Sequence, residues 1–169
     1  MDAVALRSLQ APLKERYRET PGAATVTLKA EGRLDGSSIA CRVETGRALA
    51  IAGLHPATGG SGAELCSGDM LLEALVACAG VTLKAVATAL SVPLRSGTVR
   101  AEGDLDFRGT LGVDKEAPVG FRDIRLTFEV DTDAPQEQLD TLLKLTERYC
   151  VVFQTLNTKP RLTVELKTH

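Results

Sequence analysis

SGDMLLEALVACAGVTLKAVATAL, residues 67–90, is the stretch on which the fold turns. Asp69 suits a helix N-terminus, the positions after it are rich in Leu, Ala and Val, and no proline intervenes before Pro93. One helix of about six turns is expected. Its hydrophobicity runs nearly all the way round, the mark of a buried helix, which sets Cys78 at mid-helix in an apolar environment. The least apolar stripe passes through Glu73, Ala77, Gly80, Lys84 and Thr88 at spacings of three and four. That stripe is expected to face solvent or a partner chain.

Composition limits what this helix can belong to. At 169 residues and 44% hydrophobic, the chain can bury one sizeable core, and one main domain is expected. Net charge is −2 with a pI near 5.7 and neither sign forms a block, so the footprint of a nucleic-acid binder is missing. No N-terminal signal pattern is present, and Glu73 and Lys84 interrupt the one long apolar run, so a cytoplasmic protein with no membrane partner is expected. Cysteines at 41, 66, 78 and 150 form no CxxC, and His55 and His169 lie far from any ligand set, which argues against metal or cofactor. In a reducing cytosol a pair of thiols is catalytic or inert rather than a permanent staple.

Outward from the central helix, residues 2–20 read as a helix with Leu6, Leu9, Leu13 and Tyr17 on one side, tilted or broken near Pro12. Residues 1–22 form an N-terminal helical extension, a lid or dimer arm, ahead of a domain spanning 23–169. Ala24–Glu31 and Ser38–Glu44 alternate as strands, with EGRLDG (31–36) as the hairpin turn presenting Arg33, and Arg47–Ala52 completes a meander. GLHPATGGSGAELCSG (53–68) is too irregular for an element and reads as a functional loop. Beyond the helix, Gly97–Arg108 and Phe121–Asp131 alternate as strands, and a second core helix starts at Pro135, with Asp133 as cap, running toward Cys150. TERYCVVFQTL (146–156) continues or restarts it, and RLTVELK (161–167) is a last strand. Strands grouped around long helices mean α+β, with mainly antiparallel sheets wrapped around two long core helices.

GDMLLEALVACAG (68–80), RYCVVFQTL (148–156) and the GFRDI (120–124) that opens the intervening strand carry a family resemblance. From about Ala24 to Leu166 the layout resembles the osmotically inducible protein C and organic hydroperoxide resistance (OsmC/Ohr) family. The resemblance implies an OsmC-like fold with two protomers intertwined as a homodimer, and a cysteine-based peroxidase that reduces organic hydroperoxides in oxidative-stress defence. Carried over residue by residue, it implies Cys78 as the attacking thiol and Cys150 as the resolving one. Arg33 is the matching cation, with Arg42 and Arg47 as alternatives, and Asp69 the orienting carboxylate, with Glu73 second. An apolar helix interior alone would raise a thiol's pKa, so such a cation is needed. The reductant it implies is an external dithiol, a lipoylated protein in related cases.

The chain departs from that pattern in places. Cys150 is followed by Val151 and Val152 where most relatives have proline, Asp69 is one methylene shorter than the usual glutamate, and Cys66 is an additional thiol. Simpler readings exist for each residue: Cys78 as a small core residue, Arg33 as a solvated turn residue, Asp69 as a helix cap, Cys41 as packing. Cys66 is an exposed thiol or an alternative partner for Cys78. A second function class is a non-catalytic protein that holds an apolar or thiol-reactive small molecule in the interface pocket around Cys78.

Overall fold

The structure is a computed structural model that describes residues 2–5, 7–8, 10–11, 19, 31–34, 40–44, 49–112 and 114–168. Near the N-terminus residues 3–5, 7–8 and 10–11 are helical, and the Asp2 carboxylate accepts the Ala5 N–H at 2.8 Å as a cap. Pro12 and the expected strand over 24–30 lie outside the described residues, as does Arg47.

Four short strands come first: β1 (Glu31–Leu34), β2 (Ala40–Glu44), β3 (Leu49–Gly53) and β4 (Leu65–Cys66), in sheet order β1-β2-β3-β4. The first two pairings are antiparallel and β3–β4 is parallel. Two expectations are corrected here. EGRL is a strand and not a turn: Glu31 pairs with Glu44 and Leu34 with Cys41. The loop over 53–68 also contains elements, a 3-10 turn at Pro56–Thr58 and then β4. Its glycines do punctuate it, with Gly59 at φ 92° and Gly62 at φ 78° in the left-handed region.

The central helix α1 (Ser67–Leu90) has the expected bounds, with Cys66 at its N-cap and Asp69 inside its first turn. By length and composition alone it could cross a membrane. Packing ties it instead to a sheet and two helices. Leu75, Ala79, Leu83 and Ala87, each four residues on, form its buried stripe. The expectation of burial all round is corrected, since Val81 is 73% exposed and Leu71 37%. The chain has one sheet face and one helix pair to offer a helix whose apolar surface is wider than that.

β5 (Ser96–Asp104) and β6 (Asp123–Asp131) form a separate antiparallel pair that puts Val99 opposite Phe128 and Ala101 opposite Leu126. Those side chains pack on α1, while Arg100–Glu129 and Arg125–Asp104 pair on the outer face. The strand ends before Leu105, short of the expected Arg108. There the Asp106 carboxylate accepts the Arg108 N–H at 3.1 Å and starts the short helix α2 (Phe107–Thr110).

Helix α3 (Gln136–Tyr149) buries Leu142 and Thr146 against α1. Asp133 does not cap it, because its carboxylate is taken by Arg95, which also binds Asp131. Cys150 breaks the helix with an extended backbone, and α4 (Val151–Asn157) restarts at once. Of the two alternatives for 146–156, the restart is the one found. Arg161–Lys167 is not a strand: 159–168 takes no regular element, and Leu162, Val164 and Leu166 are 83%, 98% and 89% exposed.

Candidate functional site

Two buried clusters run along α1. One, toward its C-terminal end, joins Leu83, Ala87, Val92 and Leu142. The other joins Leu75, Ala79 and Cys150, with Cys78, Val99, Ala101, Ile124, Leu126, Val152 and Phe153 packed around them. The thiols of the second cluster are the centre of the site.

Cys78 is half-buried on α1, and the chain break after α3 brings Cys150 against it at 1% exposure. Their side chains hydrogen-bond to each other. Burial pushes the Cys78 thiol up, but the Val152 N–H, the Cys150 thiol and the Val151 N–H near it outweigh that and leave it below its ordinary value. The Thr82 hydroxyl donates its proton to the Cys78 carbonyl at 2.8 Å, one turn back on the same helix. Cys150 moves the other way. Burial raises it, and the charge and hydrogen bond of Cys78 beside it add to the rise, against lowering by the Phe153 and Val152 N–H groups. The two thiols are therefore shifted in opposite directions, Cys78 being the more acidic of the pair and Cys150 the less.

A groove of about 500 Å³ opens beside the thiols, and four of its lining residues, Leu75, Ile124, Leu126 and Phe153, also belong to the thiol cluster. Phe121 and Arg122 of the GFRDI stretch line its other side. Sequence reasoning used that stretch only as a family signature. Its last two residues open a strand facing the core helix, and Arg122 stands immediately before that strand, which was the available sign that it would border the site.

The other residues singled out from the sequence lie elsewhere. Nine positions before Cys78, Asp69 is half a turn round the helix and about 13 Å along it, in a groove with Leu72, Glu73, Val76 and Ala77. Arg33 lies in β1 with Arg42 directly opposite it on β2. Cys66, at the start of α1, stands about 18 Å along the axis from Cys78. Cys150 takes the place beside Cys78 instead. Cys41 is a β2 residue paired with Leu34 and Ala52. His55 accepts the Ala57 N–H on its Nδ1 at 3.0 Å and stacks on Phe107 with ring centroids 4.9 Å apart, tying the glycine-rich loop to α2. Among the described residues no three His, Cys, Asp or Glu side chains converge as a metal site.

Comparison with known proteins places this arrangement. Residues 60–165 match the family model described as "OsmC-like protein". No curated protein matches the chain. Among solved structures, an OsmC-like protein from Mycoplasma pneumoniae is 16% identical, with a TM-score of 0.65 over 79% of this chain and 89% of that one. An organic hydroperoxide resistance protein OsmC from Legionella pneumophila is 16% identical, with a TM-score of 0.62 over 80% and 92%. The organic hydroperoxide resistance protein OhrB of Bacillus subtilis is 19% identical, with a TM-score of 0.52 over 79% and 93%. At these identities the likeness is one of fold.

Proposed function

From the premise that the chain belongs to the OsmC-like protein family, we propose that it is a thiol-dependent peroxidase reducing organic hydroperoxides through a two-cysteine mechanism. The observation that carries this reading is the polarised pair, a half-buried thiol with a lowered pKa in contact with a buried thiol with a raised one. The Cys78 thiolate attacks one oxygen of ROOH. The O–O bond breaks, the sulfur becomes a sulfenic acid, and the leaving alkoxide takes up a proton to give the alcohol. The Cys150 thiol then displaces hydroxide from that sulfenic acid, and its proton leaves with it as water. The resulting disulfide is reduced by an external dithiol, such as a lipoylated protein, in the reducing cytosol. The groove lined by Leu75, Ile124, Leu126 and Phe153 suits an apolar R group.

Arg33 and Asp69 are assigned to the cation and its orienting carboxylate, brought to Cys78 across a homodimer. Support for the dimer is the unburied apolar surface. Val81 on α1 is exposed, and RLTVELK alternates as a strand would while its three aliphatic side chains lie almost wholly in solvent. Truncation after Pro160 is expected to convert a dimer into monomer in sedimentation. A full-length chain that sediments as a monomer overturns the dimer.

The test of the activity is mass spectrometry of reduced protein after one equivalent of cumene hydroperoxide. Wild type is expected to lose two hydrogens, and Cys150→Ser to carry an oxidised adduct on Cys78. Thiols that stay reduced would overturn the peroxidase, leaving the groove as a binding site for a small apolar or thiol-reactive molecule.

A further inference from the structure

Phe121 stands just ahead of β6, and its ring is laid against two glycines. Gly103 lies on the core face of β5, opposite Ile124 of β6, and a Cβ built there would meet the ring at 2.5 and 2.6 Å and Leu72 Cδ2 at 3.4 Å. One built on Gly68, in the first turn of α1, would meet the tip of the ring and Leu105 Cδ1, each at 3.5 Å. The Gly103 backbone is not in the left-handed region, so the strand needs no glycine for its path. A glycine inside a strand weakens it, and what this one supplies is room for the ring.

The same ring lines the groove beside the thiols, which follows β6. At one end Leu126 and Leu75 belong to the thiol cluster, and at the other stand Phe121, Arg122 and, from α4, Asn157. Leu75 is three residues before Cys78, about 5 Å along α1, whereas Leu72 and Gly68 are about 9 and 15 Å along it. Phe121 thus closes the groove at the end away from the thiols. We propose that Phe121 is a specificity-determining residue, the wall that sets how long an apolar chain the groove admits beside Cys78, with Gly103 as the positioning residue that seats its ring. This rests on the reading of Cys78 as the reactive thiol. The substrate class is a hydroperoxide whose R group is an apolar chain of limited length. Behind the ring lies an apolar recess bordered by Leu72, Leu105 and the two glycines, which the ring fills. Without the ring a longer chain runs on from the groove into that recess. With it the chain stops, or turns out toward Arg122 and Asn157, where an apolar tail gains nothing.

The experiment compares N-ethylmaleimide with N-dodecylmaleimide on reduced protein, the Cys78 adduct being followed by peptide mass spectrometry. Both reagents share one reactive head, so the ratio of their rates reads the groove. Phe121→Ala is expected to raise the dodecyl-to-ethyl ratio about tenfold, the worth of about two further buried methylenes, and to leave the ethyl rate within about twofold. Gly103→Ala puts a methyl where the edge of the ring lies. It is expected to change the ratio about threefold in the wild-type background and to leave it unchanged in the Phe121→Ala background, because it acts through the ring. Its loss of melting temperature is expected to follow the same cycle, present with Phe121 and absent without it.

A ratio unchanged in folded Phe121→Ala overturns the proposal, as does a Gly103→Ala shift of equal size in both backgrounds, which would make it an effect on the sheet. Should Phe121→Ala unfold, Phe121→Leu decides. It keeps an apolar side chain on the glycines while shortening the wall, and it is expected to raise the ratio about threefold; an unchanged ratio overturns the proposal. Maleimide addition needs no hydroperoxide. A protein that fails to consume hydroperoxide yet shows the Phe121→Ala shift loses the peroxidase reading and keeps the wall, and one that consumes hydroperoxide with an unchanged ratio keeps the peroxidase and loses the wall.

Discussion

The body of the protein, residues 67–157, and the sheet of β1–β4 before it are built on different terms. In the body, four elements meet over α1, and Cys78 and Cys150 sit where α1, the β5–β6 face and the α3–α4 break converge. The first sheet touches the body mainly through β4 at the start of α1 and through His55 stacked on Phe107. The proposed thiol chemistry thus draws both of its cysteines from one packed unit. The cation assigned to it, Arg33, belongs to the sheet.

Substitutions can separate the two halves of that contrast. Removing the thiol is expected to have the largest effect: Cys78→Ser abolishes hydroperoxide consumption in a ferrous-xylenol assay, while Cys150→Ser retains a first turnover and loses the later ones. Truncating the body's core comes next. Leu142 is 2% exposed between α1 and α3, and Leu142→Ala is expected to cost about 3 kcal/mol, read as a lower urea midpoint. Arg33→Ala, in the sheet, is expected to lower kcat/KM about thirtyfold with the melting temperature unchanged, a loss of about 2 kcal/mol of transition-state stabilisation. Full activity in that variant would make the body self-sufficient and move the comparison decisively in its favour.

Phe107→Ala should cost about 1 kcal/mol by removing the stack that ties the loop to α2, and should speed proteolysis between Gly53 and Glu64. The smallest effect concerns Asp106, whose carboxyl the Arg108 guanidinium holds down at about 2. A depressed carboxylate contributes stability above its unfolded pKa, and that contribution is lost as pH falls from about 4 through about 2. Asp106→Asn should therefore flatten acid unfolding only slightly in that window, because the Arg108 guanidinium is 60% exposed and its charge is screened by solvent.

The same contrast governs how far the sequence could be read. The long elements of the body were legible in type, because α1 carries a largely apolar pattern and β5 and β6 alternate; their ends moved, where Asp106 turned to capping and Asp133 to Arg95, and the short helix α2 that Asp106 starts was read as the end of a strand and a loop. The first sheet was misread at EGRL, since a glycine and an acid next to a strand mimic a turn. RLTVELK was read as a strand from alternation alone. Alternation reports a preference, and pairing requires an edge, which the described residues do not supply to it. In the site, the cysteine pair was legible through family motifs, but the amides of Val151 and Val152 were not, since no side-chain pattern announces which way a backbone N–H points.

The break at Cys150 ties the redox state of the protein to its folding. A bond between Cys78 and Cys150 would close a loop of about 70 residues and take about 4 kcal/mol of chain entropy from the unfolded state. By the thermodynamic cycle, what the bond adds to the fold the fold returns to the bond, at about 30 mV for each 1.4 kcal/mol, so the native disulfide would resist reduction by close to 90 mV more than the same bond in an unfolded chain. The reductant must also choose a sulfur. Cys150 is 1% exposed and Cys78 is not shut away, so on the proposed mechanism the mixed disulfide would form on Cys78 with Cys150 as the leaving group. Such a bond would be opened from the side that hydroperoxide enters, and the protein recharged through the doorway by which it was spent.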